Sequence, residues 1–341
     1  MKALVWEGPR SMVMRTQAVP IPARGEVVLR VLFAGICGSE LSGYLGHNAL
    51  RVPPLVMGHE FSGEIVTVGD GALEINADLA LGQQVTVNPL ASCGVCFHCA
   101  RGLNHLCGSR KLLGAHLPGA YAEFVKVPAE LIHALPKGMS VRTGALTEPV
   151  AVAVRIGELA GDVSGEDCLI LGAGPIGLLA LQVLKANGAK RVFIADLDNE
   201  RLAMAATLGG QTLAPRALDV VQTVREATLG LGVAVALDAV GTAITRAQCI
   251  AATRSAGTMI LSGLHEEVSS MPAAEIIRRE IVVKGSFAYS PTNFVQALEM
   301  LARDEIRLDP WITEAPLEDG GRWFDRLIDA PGNVSKVLLQ P

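Results

Sequence analysis

The stretch Cys168-Leu169-Ile170-Leu171-Gly172-Ala173-Gly174-Pro175-Ile176-Gly177 runs from a short apolar segment into a glycine-rich turn. Gly172, Gly174 and Gly177 stand in G-x-G-x-x-G spacing, with Pro175 and Ile176 before the third glycine. The first glycine permits a tight turn, the second lets the backbone approach a pyrophosphate, and the third lets strand and helix pack closely. A helix opening at such a turn faces the phosphates with its N-terminus. Residues 191–195 read as a second strand ending in Asp196, about where a carboxylate bonding an adenosine ribose is expected. An acid there favours NAD, because it repels the extra phosphate of NADP. The competing reading is a plain strand-helix unit, since a chain with 36 glycines meets such spacing by chance more easily. The flanking strands favour the dinucleotide turn. Asp198 reads as a solvated loop carboxylate.

Outward from the turn, strand and helix alternate: 168–171 then 176–187, 191–195 then 199–208, and 233–237 then 243–252. Further strands are expected at 258–261 and 281–286. This pattern builds a parallel sheet covered by helices on both faces. Before residue 150 the chain instead carries short strand-like runs punctuated by Gly and Pro, at 26–33, 63–68, 84–87 and 122–127. A helix near 293–303 and a strand at 334–339 follow the alternating region. The fold class expected is α/β plus β: a mostly β domain and a doubly wound parallel-sheet domain.

A length of 341 residues favours two domains over one. Half the residues are hydrophobic and 18% are charged, which excludes a disordered chain. A net charge of -5 offers no basic field, so neither a nucleic-acid surface nor a polybasic membrane anchor is expected. The mean hydropathy of +0.37 and the uncharged run from Cys168 to Leu184 raise the question of a membrane span. That run has 17 residues, holds three glycines and a proline, and reads as strand, turn and core helix. The N-terminal sequence carries no apolar segment with a small-residue cleavage site, so a cytoplasmic, reducing location is expected.

Cys93, Cys96, Cys99 and Cys107 crowd into one segment, and in a reducing compartment they read as metal ligands before disulfides. Four thiolates close a tetrahedral zinc shell without an open position, which makes the site structural. Gly94 and Gly102 let the backbone wrap, and Arg101 and His105 can offset the thiolate charge. His98 and His105 could replace a thiolate, but four cysteines already suffice. Four free or redox-active cysteines are the alternative.

Three further residues have bland readings singly: Cys37 in Gly35-Ile36-Cys37-Gly38-Ser39-Glu40, His59 in Gly58-His59-Glu60-Phe61-Ser62-Gly63, and Glu148 in Thr147-Glu148-Pro149-Val150. Together with the cysteine loop and the dinucleotide turn, they resemble the zinc-containing medium-chain dehydrogenase/reductase family, the alcohol, sorbitol and threonine dehydrogenases. The resemblance covers essentially the whole chain. It implies a GroES-like catalytic domain over 1–151, carrying the structural zinc loop near 90–110. A Rossmann NAD-binding domain would follow over 152–288, and 289–341 would complete the catalytic domain. It also implies that Cys37, His59 and Glu148 hold a catalytic zinc, as in the polyol and threonine branch. Glu60 would approach that metal directly or through water. Three protein ligands leave a position for water or substrate oxygen, and zinc lowers the pKa of what binds there. Ser39 matches the family's substrate-bonding Ser/Thr that starts a proton relay. Ser42, however, stands where many members carry a relay histidine; His47 could replace it but reads as a surface loop residue. Arg201 matches a basic position near the ribose. Ala288 occupies a position where sorbitol dehydrogenases often carry an arginine, which argues against sorbitol itself.

The expected function is therefore zinc-dependent transfer of a hydride between a secondary alcohol or polyol and NAD, with one catalytic and one structural zinc per chain. A threonine or sugar-alcohol-phosphate dehydrogenase is the alternative within the family. A non-catalytic NAD(H)- and zinc-binding protein is the alternative from another class, though such a protein has no need of an open ligand set. Zincless quinone reductases lack the Cys/His/Glu set. The partners expected are a small-molecule substrate and further copies of the chain, as a tetramer or dimer. Tyr44, Tyr121 and Tyr289 are candidates for the pocket wall.

Overall fold

In the computed structural model, which describes residues 1–331 and 334–341, the segment Asp167–Leu171 is an inner strand of a six-stranded parallel sheet. The strands follow the order Gln211–Leu213, Arg191–Ala195, Asp167–Leu171, Val233–Asp238, Thr253–Leu261, Val282–Gly285. All neighbours are parallel. In chain order this is 3-2-1-4-5-6, the Rossmann arrangement. The inner strands read as continuous apolar runs because both of their faces are covered. Leu169, Ile170 and Leu237 are fully buried, each contributing about 1.5–3 kcal/mol relative to exposure. The run that raised the membrane question is this strand, the turn and the helix Pro175–Ala186. Among the described residues no helix is long and apolar enough to cross a membrane.

Helix starts follow from local chemistry. Pro175 occupies the first turn of its helix, where its missing N–H costs nothing. Asp198, expected as a solvated loop carboxylate, is half-buried and caps the helix Asn199–Thr207 by accepting from the backbone N–H groups of Glu200 and Arg201. Asp219 caps Val220–Ala227 in the same way, by accepting from Gln222.

The chain divides into two compact units, Pro149–Tyr289 with Glu305–Arg307, and Met1–Glu148 with Ser290–Asp304 and Leu308–Pro341. The second of these is built on a seven-stranded sheet. Its order is Ile132–Ala134, Gln84–Val87, Glu60–Val68, Glu26–Gly35, Lys336–Gln340, Ile312–Pro316, and Phe124–Pro128 also pairs with Glu26–Gly35. A smaller sheet joins Ser11–Thr16, Lys2–Gly8 and Leu55–Val56. An apolar cluster that includes Trp6, Leu29, Phe61, Ile65 and Phe324 fills this unit. The register sets Glu60 opposite Gly35, while Leu338 pairs with Gly35 on its other side. One end of the central strand is thereby flanked by Glu60 and by the beginning of the last strand.

Candidate active site and metal centres

Cys37 follows that central strand and caps the helix Gly38–Tyr44 in extended backbone conformation. The Glu40 carboxylate turns back to accept from the Cys37 N–H at 3.1 Å. The same carboxylate accepts from the Gly58 N–H at 2.8 Å and from His59 Nδ1 at 2.9 Å. The Tyr121 hydroxyl also bonds Glu40, with the Gly35 carbonyl 2.9 Å away. Gly58 has φ +101°, and a Cβ there would lie 2.9 Å from the Tyr121 ring, so this crowding requires glycine. Glu40 is fully buried. Burial alone would raise its pKa, but His59, Arg51 and Tyr121 hold it down to about 2. An ionised Glu40 fixes the His59 ring with Nδ1–H toward the carboxylate and leaves Nε2 to act as a ligand.

Cys37 Sγ, a His59 ring nitrogen and a Glu60 carboxylate oxygen lie within 4.8 Å of one another. Burial opposes charging His59, yet Glu40 and Cys37 together carry its pKa well above the ordinary value. Glu60 forms an ion pair with Lys336, and the two are only 1% and 2% exposed. Burial opposes the charge on Lys336 too, but Glu60 and then Cys37 raise its pKa above the usual lysine range. Glu148 begins the helix Thr147–Ala160 and is buried, but it stands outside the Cys37, His59, Glu60 group. It is near enough to add to the field on Lys336. The carboxylate brought into the group is thus Glu60, which starts its strand directly after His59. Thiol, imidazole and carboxylate within one small volume suit zinc and leave a coordination position open.

Ser39 is exposed, and its hydroxyl lies 3.5 Å from Cys37 Sγ. His47 lies exposed in the following loop. Tyr44 and Tyr121 are core residues instead of pocket wall, with hydroxyls on Asp325 and Glu40.

The four clustered cysteines also converge to within 4.8 Å. Sulfur pairs stand at 3.5 Å (Cys96 and Cys99), 3.5 Å (Cys93 and Cys107) and 4.0 Å (Cys93 and Cys99). A tetrahedron with Zn–S near 2.3 Å has edges of about 3.8 Å, so the spacing fits a zinc ion. Hydrogen bonds from Cys99, chiefly its backbone, pull the Cys96 thiol down to about 6, toward the thiolate a metal needs. Gly94 and Gly102 adopt positive φ. Arg101, in the same loop, stacks its guanidinium 3.7 Å from the Phe97 ring centroid and donates to the Phe97 carbonyl. Cys168 and Cys249 are buried, and burial pushes Cys168 up to about 12, as befits ordinary core thiols.

At the glycine turn, a Cβ on Gly177 would collide with the Gly172 carbonyl, while Gly174 faces open space into which a ligand backbone could fit. Asp196 accepts from the Ala173 N–H at 2.7 Å and from the Asp198 N–H at 2.9 Å. Asp196 and Arg201 line one cavity of about 480 Å³ together with Gly172 and Thr242. Arg201 Nε is buried there without a hydrogen-bond partner.

Glu40 and Lys336 escaped the sequence reading, and Tyr121 entered it only as pocket wall. The Cys37-x-x-Glu40 spacing is a helix-capping pattern and was a usable signal for Glu40. A lysine directly before the apolar run Val337-Leu338-Leu339 was another.

A family model for the alcohol dehydrogenase GroES-like domain matches residues 23–137, and one for zinc-binding dehydrogenases matches residues 175–303. The chain is 33% identical to a sorbitol dehydrogenase of Halalkalibacterium halodurans, over 100% of its own length and 99% of that protein. It is also 33% identical to the 2-dehydro-3-deoxy-L-galactonate 5-dehydrogenase of Pseudoalteromonas atlantica, over 93% and 92% of the two chains. A crystal structure of a zinc-binding dehydrogenase from Sinorhizobium meliloti, bound to NADP, superposes with a TM-score of 0.92 at 29% identity, over 100% and 99% of the chains. The chain belongs to the zinc-containing medium-chain dehydrogenase/reductase family. It is a zinc-dependent, nicotinamide-linked oxidoreductase acting on the CH–OH group of alcohols.

Proposed function

We propose that this enzyme oxidises a secondary hydroxyl of a polyol or polyol-derived acid to the ketone, using NAD, at a zinc held by Cys37, His59 and Glu60. The observation that carries the reading is the buried thiol, imidazole and carboxylate group within 4.8 Å, with His59 oriented by an ionised Glu40. Glu148, the carboxylate the resemblance names, would be the alternative to Glu60 as third ligand of the same metal. When bound, zinc supplies Lewis acidity toward the alcohol oxygen and the nicotinamide accepts the hydride. Ser39 Oγ, beside Cys37, would hydrogen-bond the substrate oxygen, with the alcohol proton leaving to solvent, to which Ser39 is exposed. Glu40 keeps His59 in its ligating tautomer, and Lys336 balances the Glu60 charge. Cys93, Cys96, Cys99 and Cys107 hold a second, structural zinc. We also take the chain to work in the cytoplasm as a homo-oligomer, a tetramer or dimer, in keeping with the resemblance.

The test is a screen for NADH formation by the zinc-loaded enzyme over secondary alcohols, diols, polyols, polyol phosphates, sugar acids and threonine. Turnover of at least one polyol or sugar acid is expected; turnover confined to threonine or simple alcohols would overturn the substrate class.

NAD is the cofactor favoured by Asp196, whose carboxylate lines the cavity beside the glycine turn. Asp196→Ala is expected to raise KM for NAD more than KM for NADP, by roughly tenfold in the ratio, the effect of about 1.4 kcal/mol. Initial rates with each cofactor measure this, and an unchanged ratio would remove Asp196 from its role.

A further inference from the structure

The hydroxyl of Ser39 is held by an arginine from the loop that follows its helix. Arg51 is only 4% exposed. Its Nη1 donates to the Ser39 carbonyl at 3.2 Å and its Nη2 to Ser39 Oγ at 3.3 Å. The side chain lies across Gly43, where a Cβ would stand 2.6 Å from Arg51 Cδ and 3.3 Å from Nε. Gly43 sits in the helix Gly38–Tyr44, and its lack of a side chain is what leaves the guanidinium room to lie there.

A guanidinium has five donors and no acceptor, and it stays charged in proteins. It can therefore occupy a lone pair of Ser39 Oγ but cannot take its proton. With that side of the oxygen filled, the hydroxyl hydrogen points away from Arg51, and the hydroxyl donates to Cys37 Sγ at 3.5 Å. That is the direction of the Cys37, His59, Glu60 group. The position three residues after Ser39 is Ser42, so no histidine there competes for the hydroxyl.

We propose that Arg51 is a positioning residue: it clamps the Ser39 backbone and hydroxyl so that the hydroxyl faces the substrate oxygen at the metal. This rests on the reading of Cys37 and His59 as the catalytic metal site. Arg51→Met should lower kcat by about tenfold, as expected for losing one charge-assisted hydrogen bond, while KM for the cofactor and zinc content stay unchanged. Gly43→Ala, which favours the helix but displaces the Arg51 shaft, should lower kcat in the same direction. Arg51→Lys, which offers only a point donor, should restore part of the loss.

The deciding measurement is a cycle with Ser39→Ala. If Arg51 acts through Ser39, adding Arg51→Met to Ser39→Ala changes kcat no further. Multiplying losses, or an unchanged kcat in both Arg51→Met and Gly43→Ala, would overturn the proposal. Crystal structures supply a readout free of turnover: Ser39 should hold one rotamer facing Cys37 in the wild type and leave it in Arg51→Met. An unmoved Ser39 would contradict the clamp. Failure of the metal-site reading would show differently, as NADH formation surviving Cys37→Ser.

Discussion

Cys37→Ser is expected to lower kcat/KM for NADH formation by at least about 10³-fold, a loss of about 4 kcal/mol of transition-state stabilisation. A serine hydroxyl is not ionised at neutral pH and is a poor zinc ligand, so the substitution removes the charged donor from the set. His59 and Glu60 remain, but two protein donors hold the ion less well than the three that catalytic zinc sites provide. Removing one preorganised electrostatic group from an active site already costs about 10²–10³-fold, and the metal stabilises more charge than one hydrogen bond does. Zinc content should fall from about two to about one per chain, because the four-cysteine site is separate. Metal analysis beside initial rates checks both halves. The main fold should survive, since Cys37 sits at the start of a short helix whose Glu40 carboxylate caps it at the Cys37 backbone N–H, which a serine keeps.

Cys107→Ser should produce the opposite pattern, a large loss of stability with the catalytic metal retained. Cys107 is fully buried, and its sulfur lies 3.5 Å from that of Cys93. The lobe around it has little apolar content of its own to bury: Val95 and Phe97 point outward, 86% and 64% exposed. Apart from the two-residue strand Leu90–Ala91 at its edge, paired with Lys111–Leu112, its secondary structure is the single turns Cys99–Arg101 and Asn104–Leu106. Zinc sites of this composition bind with about 10–16 kcal/mol in small peptides, and that free energy is folding free energy. Even a net loss of about 3 kcal/mol would lower Tm by about 6–12 °C in a unit of this size. Thermal melts and limited proteolysis between residues 93 and 110 measure it, with cleavage expected in the variant and not in the wild type. A variant with unchanged Tm and two zinc ions would exclude Cys107 as a ligand of the structural metal.

The parts legible in the sequence were those encoded by local spacing. The glycine turn, its strands and helix, and the cysteine segment each declare their geometry within a few residues. A parallel sheet with helices on both faces then follows from strand-helix alternation and handedness, whereas its strand order comes from the structure alone. What stayed hidden depends on strands distant in sequence meeting at one end of the central strand. Lys336 reaches Glu60 because the last strand pairs beside Glu26–Gly35, and nothing near position 336 announces that partner. Tyr121 meets Glu40 across 81 positions. Arg51 reaches Ser39 only because Gly43 leaves space. The resemblance brings two carboxylates to the metal, Glu148 and Glu60; Glu60 lies with Cys37 and His59 because it adjoins His59 at the start of the strand facing Gly35. Glu40 was the most accessible of the missed residues, for its capping spacing lies within four residues of Cys37.

The most direct test of the account follows one atom. A polyol substrate deuterated at its reacting carbinol carbon is turned over with NAD, and the product cofactor is analysed by mass spectrometry. The account predicts one deuterium per NADH formed by the wild type, carried directly from substrate carbon to nicotinamide, and no labelled NADH above background from Cys37→Ser. Unlabelled NADH from the wild type, or equal labelling from the Cys37→Ser variant, would contradict hydride transfer at this metal site.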